Sequence, residues 1–306
     1  MSGRFGQRRG EWLELTPGKA LRGTEDRMAA ALVWLEKDAG IPEKLVKRLW
    51  SGGDIKLAGD RLRVRVFPER EFGFEPAAQP ASILYEDDYC LVAHKPAGMK
   101  VHPDGEDKRQ TTLANAVAAH YRDAGERAAV RHIHRLDEYT SGPVLYAKNE
   151  WAQLKLDEAM AAKKIGRTYA AWVEGAVDPA LKVIDAPIGR DRHNSRRQRV
   201  SPGGKSAVTH VERLAVYGTG RGAASLVRLT LETGRTHQIR VHMAYAGHPL
   251  IGDQLYGAKG GQLAYQALHG EQLTFEHPVT GEIVSIGDPW PPELVRLDRE
   301  LALLRS

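Results

Sequence analysis

The apolar positions near the start of the chain fall into distinct rhythms. Residues 1 to about 22 show no steady period and many polar side chains, which predicts a loosely held tail or a short strand. Met28, Leu32 and Leu35 then recur at helical spacing, predicting a helix over residues 24–39 that stops at Gly40 and Pro42. Leu45, Val46 and Leu49 make the apolar side of a second helix over residues 42–50, ended by Gly52 and Gly53. Residues 55–67, IKLAGDRLRVRVF, alternate in the two-residue period of strands and predict a hairpin about Ala58, Gly59 and Asp60. Pro76 and Pro80 mark a linker over residues 76–81. Beyond it the rhythm predicts strands at 82–85, 89–94, 129–135, 144–148, 168–173, 206–216 and 224–232. Helices are predicted at 112–121, 150–164 and 238–246. Strands and helices alternate without a regular βαβ repeat, so the expected class is α+β with a mixed or antiparallel sheet. The expected domains are residues 1–75, a linker at 76–81, and a larger domain over 82–306.

Composition narrows the classes. A chain of 306 residues has room for two domains, and 42% apolar with 27% charged residues is ordinary globular usage, not disorder. Cys90 is the sole cysteine, which excludes a disulfide within the chain and any CxxC metal site. The N-terminal residues lack the apolar run of a secretory signal, and no window approaches a membrane span. A cytoplasmic location is expected, without membrane association. No coiled-coil or interface stripe stands out, so a monomer with no obligate protein partner is expected. The net charge of +5 is modest but uneven. Arg190, Arg192, Arg196, Arg197, Arg199 and Lys205 stand against the lone acid Asp191 in residues 189–205, a segment expected to be a polar loop. Such a cluster suits a phosphate-rich partner, although a solvated loop has the same composition.

Three polar segments are candidates for chemistry. Each alone has a plain structural reading. HRLDEYTSG, residues 134–142, reads as a turn between two apolar runs. TGRTHQIR, residues 233–240, reads as the capped start of a helix with Gln238, Arg240 and His242 on its surface. LIGDQLYG, residues 250–257, reads as a glycine-bounded loop. Twelve histidines invite a metal reading, but the spacings of His132, His134, His237, His242 and His248 form no HExxH or Cys/His ligand set, so no metal is expected.

Taken together and in order, these segments resemble the RluA-type family of RNA pseudouridine synthases. HRLDxxTSG is followed about 90 residues later by GRTHQIRVHMAYAGHPLIGDQLYG. DYCLVAHKPAG at 88–98 and Leu268-His269 through His277-Pro278 add two further matching segments, so the resemblance spans about residues 82–292. The two helices and hairpin upstream resemble, in degenerate form, the S4 RNA-binding module. The resemblance implies an isomerase that detaches a uracil from C1′ of its ribose and rejoins it through C5, without a cofactor. The substrate would be ribosomal or transfer RNA. By position it makes Asp137 the catalytic carboxylate, Arg235 the cation that holds it, and Tyr169 the aromatic beside the base. It makes Arg135 the residue that fills the space of the flipped nucleotide, and Leu268 an apolar contact of the base. Attack on the sugar, attack on the base and proton removal all stay open for Asp137. The sequence departs from the family pattern at His94, at Glu138-Tyr139 and at Pro143.

Two other readings use the same residues. An RNA-binding or ribosome-assembly factor on this fold would need no catalysis. An aspartate-dependent hydrolase or glycosidase would need a second carboxylate, for which Asp253 and Glu138 are candidates.

Overall fold

A computed structural model of the chain describes residues 6–21, 23–105, 111–259 and 263–305. Strands β1 (Gln7–Arg9) and β2 (Trp12–Leu15) come first, then helices α1 (Arg27–Lys37) and α2 (Glu43–Ser51), then β3 (Ile55–Ala58) and β4 (Arg61–Val64). Asp26 starts α1 by accepting the N–H groups of Met28 and Ala29. The sheet order is β1-β2-β4-β3, antiparallel throughout. Where described, the expected tail is thus two paired strands. Leu13 and Leu15 sit opposite Val64 and Leu62, and all four are buried. A strand of four residues is too short to show a period of its own; its partner supplies the order.

The chain continues through β5 (Ser82–Glu86), β6 (Cys90–Lys95), α3 (Leu113–Asp123), β7 (Arg131–His132), β8 (Gly142–Ala147) and α4 (Glu150–Ala161). After these come β9 (Gly166–Glu174), β10 (Val183–Asp185), β11 (Ile188–Arg190), β12 (Gln198–Val200), β13 (Val208–Tyr217) and β14 (Ala224–Leu231). The last elements are α5 (Gln238–Tyr245), β15 (Leu268–Glu276), β16 (Ile283–Gly287) and α6 (Pro292–Ala302). One sheet runs β5-β6-β8-β7 and the other β10-β13-β14-β9-β15-β16, with every strand pair antiparallel. This is the expected α+β class. The basic segment is not a plain loop: β11 and β12 form a hairpin with Arg190 opposite Gln198. Each of its strands is only three residues long, too short to show a two-residue period in the sequence. Beyond residue 246 the sequence rhythm predicts no element, yet β15 and β16 complete the main sheet.

One apolar cluster joins both sheets. Leu91 and Val144 enter it from the smaller sheet, Ala171 and Val227 from the larger, and Val117 and Ile239 from α3 and α5. Leu136 belongs to it too, so the neighbour of Asp137 is an anchor in the core. The N-terminal unit packs on the rest through Trp151 and Val279, which share its own apolar cluster. Arg8 adds a two-point pair to Glu126, and Arg48 reaches Glu150 at 2.8 Å. The linker lies along α3, where the N–H groups of Ala77 and Ala81 bond the carbonyls of Asn115 and Ala116. Among the described residues no helix is long and apolar enough to cross a membrane.

Candidate active site

Asp137 lies in the segment between β7 and β8, and that segment is fixed from both ends. At its far end Gly142, at φ +135°, passes so close to Gly270 of β15 that an added Cβ would fall 2.8 Å from that backbone. The N–H of Gly270 bonds the carbonyl of Ser141 across the same contact at 2.8 Å. Behind the turn, the fully buried Lys95 spends its ammonium protons on three carbonyls, those of Pro96, Met99 and Glu138, at 2.9, 2.6 and 2.7 Å. Burial pushes Lys95 down to about 7, against the pull of Asp137 and Glu138. Thr140 closes the turn by bonding the Asp137 carbonyl at 3.0 Å. The carboxylate is left on a ridge between two cavities, one of about 420 Å³ and one of about 840 Å³.

The cation beside Asp137 is Arg240, not Arg235. Arg240 Nη1 stands 3.6 Å from Asp137 Oδ2. The same guanidinium donates to both oxygens of Asp253, at 2.7 and 2.9 Å. Burial opposes the charge of Arg240, but the hydrogen bonds and attraction of Asp253, and the attraction of Asp137, raise its pKa overall. Arg235 also lines the smaller cavity but turns outward, its Nε donating to the Ser206 carbonyl at 2.9 Å. The reason lies in the turn before α5. The side-chain oxygen of Gln238 accepts from the Arg235 N–H and the Thr233 hydroxyl, while its amide donates to Val208 and Thr209. His237 follows in the left-handed region at φ +56°, and this reversal sends Arg235 and Arg240 to different sides. His237 and Arg240, three positions apart, share one face toward Asp137.

His237 itself lies 3.9 Å from Asp137 through Nε2, and its Nδ1 shares a hydrogen bond of 2.8 Å with the hydroxyl of Tyr256. Burial pulls the His237 pKa down, with Asp137 opposing. Tyr256 also accepts the Gln198 N–H, and its ring carries the guanidinium groups of Arg240 and Arg197 at 4.9 and 5.3 Å. The basic hairpin is therefore seated on the same tyrosine as the site. Neither His237 nor Arg240 stands out in sequence beyond its place in the TGRTHQIR segment. A left-handed histidine has no signature of its own.

Tyr169 and Leu268, both buried, lie on β9 and β15 and help line the smaller cavity. Burial raises the Tyr169 pKa. Arg167, two residues before Tyr169, reaches the same cavity with its buried Nε unpartnered among the described residues. Sequence reasoning gave it no part. Arg135 is exposed and borders both cavities. Of the basic hairpin, Arg196 reaches the larger cavity, and Arg190, Arg192, Arg199 and Lys205 are exposed away from both.

Asp87, Cys90 and His277 come together elsewhere with metal-like spacing. Their ligand atoms are already engaged. Asp87 accepts from Tyr85, from His277 and from the N–H groups of Tyr89 and Cys90. His277 Nδ1 accepts from Val279 and Thr280. Burial opposes the Asp87 charge, but these donors hold it down at about 2. The cluster is a hydrogen-bonded brace between β15 and the β5–β6 turn.

Comparison with known proteins bears on the family and the fold. A family model described as RNA pseudouridylate synthase matches residues 88–245. An uncharacterized RNA pseudouridine synthase of Bacillus subtilis, YhcT, is 40% identical over 294 residues, covering 95% of this chain and 93% of that protein. The ribosomal large subunit pseudouridine synthase D of Haemophilus ducreyi is 37% identical over 283 residues, covering 87% and 83%. Among solved structures, human RNA pseudouridylate synthase domain containing 1 superposes with a TM-score of 0.60 at 25% identity, covering 76% of this chain and 98% of that one.

Proposed function

The chain belongs to the RNA pseudouridylate synthase family, and from that premise we propose that it isomerises a uridine of large-subunit ribosomal RNA through Asp137. The substrate follows the relatives named for that RNA. One observation carries the rest: the Asp137 carboxylate sits at the rim of a cavity floored by Tyr169 and Leu268, with a buried arginine at its back. The uracil enters that cavity out of the RNA stack. Arg135 takes the space it vacates. The C1′–N1 bond breaks and a C1′–C5 bond forms; the C5 proton leaves and N1 gains one, so the atoms balance within a single nucleotide. Asp137 serves this exchange at the sugar or the base. Arg240, 3.6 Å away, holds it aimed. The hairpin arginines and the S4-like unit before residue 76 hold the RNA by its phosphates. The enzyme is read as a cytoplasmic monomer working without a cofactor.

Asp137→Asn tests this reading, because it keeps the shape and removes the charge. The variant should bind a large-subunit ribosomal RNA transcript as the parent does and form no pseudouridine. Normal turnover by the variant would overturn the assignment. Pseudouridine appearing only in a transfer RNA pool would move the substrate.

A further inference from the structure

Tyr139, two residues after Asp137, takes no part in the arrangement described so far. One face of its ring lies against Tyr265, with centroids 5.4 Å apart and planes 23° from parallel. Tyr265 is itself tethered by its hydroxyl to Glu293 at 3.4 Å. The pair is therefore held in a set orientation, yet Tyr139 is 44% exposed, an unusual amount for a large ring on an ordered turn. Both rings line the larger cavity, which shares Asp137 with the smaller one.

The lysine and arginine side chains lining that cavity divide into two kinds, and Asp137 and Glu138 line it as well. Lys100 pairs with Asp104 at 2.7 Å, and Arg240 is occupied by Asp253. Arg135 and Arg196 have no ion-pair partner among the described residues. An open aromatic face beside two uncompensated guanidinium groups fits one ligand chemistry, a single-stranded nucleotide: its base stacks on the ring and its phosphate meets an arginine.

We propose that the larger cavity is the subsite for the nucleotide adjoining the target uridine, with Tyr139 as the platform on which its base stacks and Arg196 as its phosphate contact. This rests on the reading of Asp137 as the reacting carboxylate, since that places the target base in the smaller cavity and sends the strand across the ridge. Every base has a π-face, so Tyr139 selects for an unstacked neighbour rather than for a particular sequence. It thereby restricts the enzyme to uridines whose flanking base is free to leave its helix.

The probe is fluorescein-labelled decauridylate, compared with the same strand carrying alternate abasic residues, so that every remaining uridine has abasic neighbours. Wild type should bind the abasic strand roughly ten-fold or more weakly. Tyr139→Ala should bind both strands alike, while Tyr139→Phe keeps the wild-type discrimination. Tyr139→Leu preserves an apolar contact with Tyr265 and guards against simple collapse of the turn; it too should lose the discrimination. Full discrimination in the alanine and leucine variants, or its absence in wild type, would overturn the subsite. Pseudouridine formation in ribosomal RNA by wild type is read separately, so failure of the catalytic assignment is told apart from failure of the stacking platform.

Discussion

Arg240 binds two carboxylates with one guanidinium: it grips Asp253 through two hydrogen bonds of 2.7 and 2.9 Å and presents Nη1 to Asp137 at 3.6 Å. Asp253 is buried and spends both oxygens on this arginine. The pair acts as a bracket that fixes a positive charge behind the carboxylate on the ridge. A planar fork can do both jobs at once, and an ammonium group cannot.

Arg240→Lys should therefore fold and still lose turnover, by about 100-fold where the carboxylate shifts by an ångström. Arg240→Met should leave Asp253 as an unpaired buried charge and cost about 3–5 kcal/mol of unfolding free energy. Pairing that change with Asp253→Leu should restore stability, read by urea unfolding, without restoring single-turnover activity. Recovered activity in the double variant would show that Arg240 only supports the fold.

Arg235→Ala separates the two arginines. The variant gives up one hydrogen bond to the Ser206 carbonyl near the surface. Stability should change by no more than about 0.5 kcal/mol, and single-turnover rates should fall less than in Arg240→Lys. A larger loss at Arg235 would mean that substrate binding turns its side chain back toward Asp137.

His134 gives the stability a pH dependence. Burial holds its pKa down at about 3, from an ordinary 6.5. Between those values the unfolded chain binds a proton that the folded chain refuses, so the His134 contribution to stability is complete above pH 6.5 and is lost as pH drops from 6.5 toward 3. Asp87, held at about 2 from 3.8, adds its loss at lower pH. His134→Asn should be weaker than wild type at pH 7, with a shallower decline from pH 6.5 to 3 in urea unfolding. Parallel pH profiles would exclude His134 as the source.

The basic hairpin should divide by position. Arg196→Ala with Arg199→Ala removes exposed cations and should lower the salt slope of RNA binding by up to about one unit per lost contact. Arg197 lies over the Tyr256 ring, which also meets Arg240 and His237. Arg197→Ala should therefore reduce the single-turnover rate as well. An unchanged salt slope in the double variant would mean that Arg196 and Arg199 face only solvent.

The sequence by itself determined the elements whose order is local. The apolar spacing of Leu45, Val46 and Leu49, and the alternation about Gly59, needed no distant partner to become a helix and a hairpin. It also determined the family, because HRLD, GRTHQIR and the segment from Leu268 are ordered strings whose combination is specific. Tyr169 and Leu268 came with that resemblance, and both meet in one cavity. Tertiary structure alone decided the elements whose order is borrowed. β2 is a strand because β4 pairs with it, and the three-residue β11 is a strand because β12 does. Which cation serves Asp137 was likewise undecidable along the chain. Arg235 and Arg240 are five residues apart with equal charge, and a left-handed backbone at His237, together with the buried Asp253, sends one outward and the other to the carboxylate. A one-dimensional pattern records periodicity and residue type; direction at a turn depends on what the surrounding fold leaves room for.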